Sequence, residues 1–121
     1  MPTATATVMF CDVDESTSAR SGTGATSLEG LVQIVGRRDG RVLRRAGPRL
    51  MAAFTSATDA LGAAVEMQRS GPPMPTGSGL RIGIAAGDVT YEDDDCFGPP
   101  VVVAARTAAS PPPRRGRRSR T

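Results

Sequence analysis

The chain has 121 residues, a length that accommodates one domain with a modest hydrophobic core. It contains no histidine, which excludes Ser-His and Cys-His catalysis and any metal site that needs an imidazole. All fifteen basic residues are arginine and five of them lie in the last eight positions, so the remaining ten face twelve carboxylates and the body is mildly acidic. This distribution gives no case for nucleic-acid binding by the body and leaves only the tail as a candidate.

The two cysteines, Cys11 and Cys96, lie far apart in the sequence and have no metal-ligand spacing, so we interpret them as reduced, buried or half-buried thiols. The first ten residues lack the charged start and the long apolar run of a signal peptide. No stretch approaches the ~20 apolar residues of a membrane-spanning helix. We therefore expect a cytoplasmic protein without a membrane segment.

The first half of the chain predicts a strand, a helix and a hairpin. The first strand is apolar on both faces, as in a fully buried strand. Thr26 and Glu29 fit a helix capping box with Thr26 as the N-cap residue, and the turn signal Gly47-Pro48 separates the two hairpin strands. In chain order, these elements are a strand at residues 5–13, a helix that follows Thr26 and is ended by Gly36 and the turn signal Asp39-Gly40, and strands at 41–46 and 50–54.

The second half predicts a helix, two strands and a final helix. Ser56 is the expected N-cap residue of the first of these helices, and three prolines mark residues 71–79 as a surface loop. Gly87-Asp88 is interpreted as a turn, and residues 92–95 as an acidic loop. In chain order, these elements are a helix at residues 57–68, strands at 80–86 and 89–91, and a helix that begins at Val101.

The element order β α β β α β β α predicts an α+β fold, a ferredoxin-like mixed sheet with helices on one face. Residues 1–109 form the predicted domain. Residues 110–121 consist of Ser-Pro-Pro-Pro followed mainly by arginines, and they are predicted to be a disordered tail because they contain too little apolar surface to fold. The chain passes from its last helix into this tail without a closing strand.

Five blocks form an ordered pattern: MFCDVDEST at residues 9–17, GPRLMAAF at 47–54, AVEMQ at 64–68, RIGIAAGDV at 81–89, and DCFGP with AAR within 95–106. In order and spacing this pattern resembles the catalytic domains of class III nucleotide cyclases, the adenylate and guanylate cyclases. The resemblance implies conversion of ATP or GTP to a cyclic nucleotide and pyrophosphate, with Mg or Mn ions, in a head-to-tail dimer. It also implies further strands after the last helix, so we expect a truncated, degenerate family domain that lacks its C-terminal strands.

The metal-binding residues are carried over from the resemblance position by position. The family's first metal-binding aspartate matches Asp12, and Val13 would contribute its backbone carbonyl. The second aspartate falls at Pro48, which has neither a carboxylate nor an N–H group, and Arg49 beside it adds a positive charge. Two-metal displacement needs both cations, so we expect metal binding and turnover to fall by orders of magnitude.

The substrate-binding residues are carried over in the same way. The base-recognising lysine and aspartate of adenylate-type members match Arg44 and Asp95, a pair that favours ATP. The transition-state asparagine and arginine match Val102 and Arg106, of which only Arg106 could clamp a phosphate. Glu15 stands where the phosphate-side loop of the family usually has glycine. Arg44, Asp95 and Arg106 also have a plain structural interpretation, as exposed strand, loop and helix side chains.

The resemblance therefore predicts a nucleotide cyclase-like domain of intracellular signalling in which catalysis is impaired or lost, and it leaves open whether the chain is an enzyme. The implied partners are an ATP-like nucleotide and a second copy or an intact cyclase. A catalytically dead chain could still lend Arg44, Asp95 and Arg106 to the site of an intact partner. The remaining alternatives are a decayed gene product and weak, salt-sensitive binding of anionic polymers through the tail.

Overall fold

A computed structural model of the chain describes residues 3–13, 28–70 and 80–109. Thr26 of the predicted capping box, Glu15, the predicted loop at residues 71–79 and the predicted tail at residues 110–121 lie outside these described residues. No helix within the described ranges is long and apolar enough to cross a membrane.

The described residues form five strands and three helices in the predicted order. Ser56 Oγ accepts a hydrogen bond from the Asp59 backbone N–H at 3.2 Å, which confirms Ser56 as the N-cap residue of the second helix. The elements are β1 (Thr3–Val13), α1 (Leu28–Arg37), β2 (Gly40–Ala46), β3 (Arg49–Phe54), α2 (Ala57–Ser70), β4 (Leu80–Glu92), β5 (Asp95–Phe97) and α3 (Pro99–Ala109).

The strands form one sheet in the order β2-β3-β1-β4-β5, with β1 at its centre. The α+β class and the ferredoxin-like arrangement are confirmed, but every described strand pair is antiparallel, whereas a mixed sheet was predicted. The reason is topological. The connection through α1 does return the chain so that β2 runs parallel to β1, but β3 lies between these two strands and pairs with both of them in the opposite direction.

The helices lie on both faces of the sheet, so the prediction that they share one face is wrong for α3. Successive residues of β1 project to opposite faces. Met9 and Cys11 pack in a core with α1 and α2, whereas Val8 packs in a second core with Ala104 of α3. Gly83 permits this second layer, since a Cβ there would collide with the Ala104 carbonyl oxygen. A strand that is apolar on both faces needs cover on both sides, and α3 provides the second cover.

Strand β4 is a continuous strand of 13 residues, not two short strands separated by a turn at Gly87-Asp88. The chain reverses later, at Asp93 and Asp94, whose φ angles of 51° and 64° are those of a tight hairpin turn. Gly87 is required by packing instead, because a Cβ at this position would lie 2.9 Å from Cγ of Pro100. Glycine at position 87 therefore indicates a close approach of α3 and not a reversal of the chain.

Candidate functional site

Asp12 lies near the end of β1, between two arginines of the neighbouring strands. Its Cα pairs with that of Arg49 on β3 and with that of Arg81 on β4. Residues that pair across neighbouring strands project from the same face of a sheet. These three residues, which we call the Asp12 row, therefore alternate in charge across the sheet as plus, minus, plus. Arg49 Nε lies 3.7 Å from Asp12 Oδ2.

The turn between β2 and β3 holds the Asp12 row in register. Gly47 has a φ of 58°, as the first central residue of a type II′ hairpin turn requires, and Pro48 suits the second central position because its fixed φ is negative. The Pro48 carbonyl accepts a hydrogen bond from the Val13 backbone N–H at 2.9 Å. The position that matches the family's second aspartate thus ties the end of β1 to the turn and sets Arg49 beside Asp12.

These residues do not fit the two-metal centre that the resemblance implies. Among residues 3–13, 28–70 and 80–109, no three cysteine or carboxylate side chains are grouped so that they could hold a metal ion. The Asp12 carboxylate is paired with a guanidinium, and the position of the second carboxylate holds Pro48. Mg²⁺ and Mn²⁺ prefer sites rich in carboxylate oxygens, whereas the Asp12 row carries two fixed positive charges.

Arg44 and Asp95 form a direct ion pair within the chain. Arg44 Nε donates hydrogen bonds to both carboxylate oxygens of Asp95, at 2.8 and 3.0 Å, and Nη2 donates to the Cys96 carbonyl at 3.1 Å. The guanidinium carbon also lies 5.5 Å from the centre of the Phe97 ring, within the range of a cation–π contact. The Cys96 backbone N–H completes the group by donating to Asp95 Oδ1 at 2.8 Å.

This group, the Arg44 cluster (Arg44, Asp95, Cys96 and Phe97), also has a structural role. Strands β2 and β5 are the two edge strands in the strand order, so the ion pair joins the two edges of the sheet. Leu43, Met51 and Tyr91 pack beneath it in the second core. To recognise a purine, Asp95 would have to exchange part of this pairing for the base.

Val102 and Arg106 lie four residues apart on α3 and therefore on one side of that helix. Both side chains are exposed. Val102 has no hydrogen-bonding group with which to orient a ribose. Together with Val103 and Phe97 it belongs to the exposed apolar side chains, each of which is about half accessible to solvent.

Both cysteines are free and buried, as predicted. Burial raises the pKa of the Cys11 thiol to about 12, and its Sγ lies 3.8 Å from the sulfur of Met67. Burial, and then the negative charge of Asp95, also raise the pKa of Cys96. Both thiols are therefore protonated core groups near neutral pH and not nucleophiles.

A small cavity of about 120 Å³ opens beside the Arg44 cluster and is lined by Asp39, Arg41, Leu43, Thr55 and Tyr91, among others. Ligand pockets typically have volumes of about 300–1,000 Å³, so this cavity is too small to enclose a nucleotide. It contains none of the predicted site residues.

The site residue that sequence reasoning missed is Arg81. The alternation of residues 80–84 predicts a strand with Arg81 on one face. That pattern cannot show which residue of β1 lies opposite, because register between distant strands depends on the whole sheet. The structure thus brings together Asp12, Arg49 and Arg81 in one group, and Arg44 with Asp95 in another.

No family model matches the sequence, and no curated protein matches it. Among solved structures, the adenylate/guanylate cyclase/hydrolase from Silicibacter pomeroyi is similar, with a TM-score of 0.72 and 25% identity over 92% of this chain and 73% of that chain. The dimeric guanylyl cyclase domain of the RhoGC fusion protein from the aquatic fungus Blastocladiella emersonii has a TM-score of 0.66 and 18% identity, and the match covers 93% of this chain and 78% of that one. The catalytic core of a rhodopsin-guanylyl cyclase in complex with ATPalphaS has a TM-score of 0.64 and 21% identity, with 92% and 76% covered.

Proposed function

The chain is a nucleotide cyclase-like domain with the fold of class III adenylate and guanylate cyclase catalytic domains, and from this premise we propose that it binds an ATP-like nucleotide but has lost effective cyclisation at the site that contains Asp12. The observation that carries the proposal is the Asp12–Arg49 ion pair. In-line displacement on a triphosphate depends on cations that activate the attacking hydroxyl and neutralise the phosphates. A guanidinium can neutralise phosphate charge, but it cannot lower the pKa of a coordinated hydroxyl.

The proposed nucleotide is of the adenine type. Asp95 offers a carboxylate that could accept a hydrogen bond from the adenine amino group. The rhodopsin-guanylyl cyclase core with converted specificity was solved with an ATP analogue, which agrees with an adenine nucleotide in this fold. A cytoplasmic location fits such a substrate and stays a prediction.

A second candidate function is that of a partner that completes the site of another subunit. In the head-to-tail dimer that the resemblance implies, Asp12 comes from one subunit, and Arg44, Asp95 and Arg106 come from the other. In the second group this chain keeps Asp95 and Arg106 and has an arginine, Arg44, in place of the lysine, whereas the first group has lost the second metal-binding aspartate at Pro48. The exposed Phe97 and Val102 near that second group offer apolar surface to a partner.

The test is cyclic AMP formation from ATP and Mn²⁺ at high protein concentration. We expect the unmodified chain to give little or no product. The variant Pro48→Asp/Arg49→Gly/Val102→Asn, which restores the missing carboxylate and amide, should gain activity. The matched control is Arg69→Ala, since Arg69 is an exposed arginine on α2. Rapid turnover by the unmodified chain would contradict the proposed loss of catalysis.

A further inference from the structure

The Asp12 row carries more positive than negative charge on one face of the sheet. Arg49, Asp12 and Arg81 lie on three adjacent strands about 4.8 Å apart, so their charged groups are within reach of one ligand. One carboxylate between two guanidinium groups leaves a net charge of plus one. Arg81 is exposed and has no carboxylate partner within the described part of the chain.

The Asp12–Arg49 pair is weak enough to admit a ligand. It consists of one contact of 3.7 Å, longer than a hydrogen bond, between an Arg49 side chain that is 52% exposed and an Asp12 side chain that is 20% exposed. A contact this long to an exposed guanidinium contributes little to stability. A guanidinium has five N–H donors, so a contact between Asp12 and Nε of Arg49 leaves the Nη N–H groups available to a ligand.

Phosphate groups are the anions that this geometry suits. A guanidinium presents paired N–H groups that match two phosphate oxygens, and such charge-assisted hydrogen bonds are stronger than neutral ones. A divalent cation beside Asp12 would instead lie close to two fixed positive charges. We infer that the Asp12 row binds the polyphosphate of a nucleotide directly through Arg49 and Arg81, so that nucleotide binding does not require a divalent metal ion.

This inference rests on the proposed function, because it concerns how the same site holds its nucleotide. The test is calorimetric titration of the full chain with ATP, first with EDTA and then with Mn²⁺, and with inorganic tripolyphosphate in a parallel series. We expect binding in EDTA that is as tight as binding with Mn²⁺. Tripolyphosphate should bind as well, but more weakly than ATP if Asp95 contacts the base.

Single variants assign the binding to the row. Arg49→Ala and Arg81→Ala should each weaken ATP binding in EDTA by about tenfold or more, since each removes a charge-assisted contact. The matched control is Arg45→Ala. Arg45 is next to Arg44 on β2, projects from the opposite face and pairs with Glu29, so its loss should change the affinity by less than about twofold. Circular dichroism of each variant checks the fold.

The outcomes separate the two proposals. Binding that needs Mn²⁺ would overturn metal independence and leave nucleotide binding in place. Equal losses for Arg45→Ala and Arg49→Ala would overturn the assignment to the Asp12 row. If neither ATP nor tripolyphosphate binds the folded chain under either condition, nucleotide binding itself is wrong. The comparison of EDTA with Mn²⁺ needs no variant, so the inference can be tested even if a substitution prevents folding.

Discussion

Arg44 and Asp12 project from the same face of the sheet, but the Arg44 cluster and the Asp12 row are built in different ways. In the Arg44 cluster, both carboxylate oxygens of Asp95 accept short hydrogen bonds from one guanidinium. In the Asp12 row, a single contact of 3.7 Å joins Asp12 to Arg49. The charged groups of the Arg44 cluster pair with each other and stabilise the sheet, whereas the Asp12 row has a net positive charge that is available to a ligand. The same residue types thus serve structure in one place and, by our inference, binding in the other.

Helix α3 explains part of this difference. Gly83 belongs to the same row of the sheet as Phe10, Met51 and Arg44, and α3 packs directly on Gly83. Two residues further toward the start of β4, Arg81 is exposed. The helix therefore covers the sheet at Gly83 and leaves Arg81, which belongs to the Asp12 row, exposed to solvent.

The largest effect that we predict tests whether the two groups belong to one site that is shared between subunits. One chain carries Pro48→Asp/Arg49→Gly with Arg106→Ala, and the second carries only Val102→Asn. Each chain alone should form almost no cyclic AMP. A mixture should exceed both by about a hundredfold or more, because only the mixed dimer has a complete site and groups that contact the reacting atoms typically contribute that much. Cyclic AMP formation at equal total protein concentration is the measurement.

The same two chains provide the control for the mixing experiment and the results that would contradict a shared site. A mixture of two preparations of the first chain should remain inactive. If the first chain is active alone, then Arg106 does not act on the phosphates. If the mixture stays inactive although both chains are folded and associate, the Asp12 row and the Arg44 cluster do not form a shared site.

The next prediction tests how closely α3 packs against the sheet. Gly83→Ala should lower the free energy of unfolding by about 1–3 kcal/mol, since the new Cβ collides with the Ala104 backbone and α3 must move. The matched control is Gly36→Ala on α1, where no atom lies within 4 Å of the added Cβ. That change should stabilise the chain by about 0.5–1 kcal/mol. Urea unfolding followed by circular dichroism measures both, and equal effects would contradict the close packing of α3.

Sequence patterns predicted the elements well and their spatial arrangement less well. The order of strands and helices follows from local hydrophobic patterns, and Ser56 was recognised from its position before an apolar helix. The glycines were harder to interpret. Gly87 resembles a turn residue in the sequence, yet its lack of a Cβ serves the contact with Pro100. A single sequence shows that the residue at a position is small. Only the fold shows whether a turn or a neighbouring helix requires that small residue.

The candidate site also contains some residues that the sequence could identify and others that only the structure could. The resemblance to cyclases marked Arg44 and Asp95, and these two residues do lie in contact. Arg81 could not be found from the sequence, because its place beside Asp12 depends on how β1 and β4 are aligned, a property of the assembled sheet. Arg49 could be identified from the sequence as a departure from the family pattern. Its contact with Asp12, however, depends on the hairpin turn at Gly47-Pro48.

The smallest effect that we predict concerns the two ion pairs, Arg44–Asp95 and Asp12–Arg49. Arg44→Ala should lower the free energy of unfolding by about 1–2 kcal/mol, because it leaves the half-buried Asp95 without its guanidinium partner and frees the hairpin of β4 and β5 from β2. Arg49→Ala should change it by less than about 0.5 kcal/mol, as expected for a long contact to an exposed guanidinium. Urea unfolding at equal ionic strength measures the difference, with Arg41→Ala as a control on the same strand as Arg44, since its pair with Asp94 is also exposed. If Arg49→Ala proves as costly as Arg44→Ala, the Asp12–Arg49 pair has a structural role like that of Arg44–Asp95, which would contradict a weak pair that is open to a ligand.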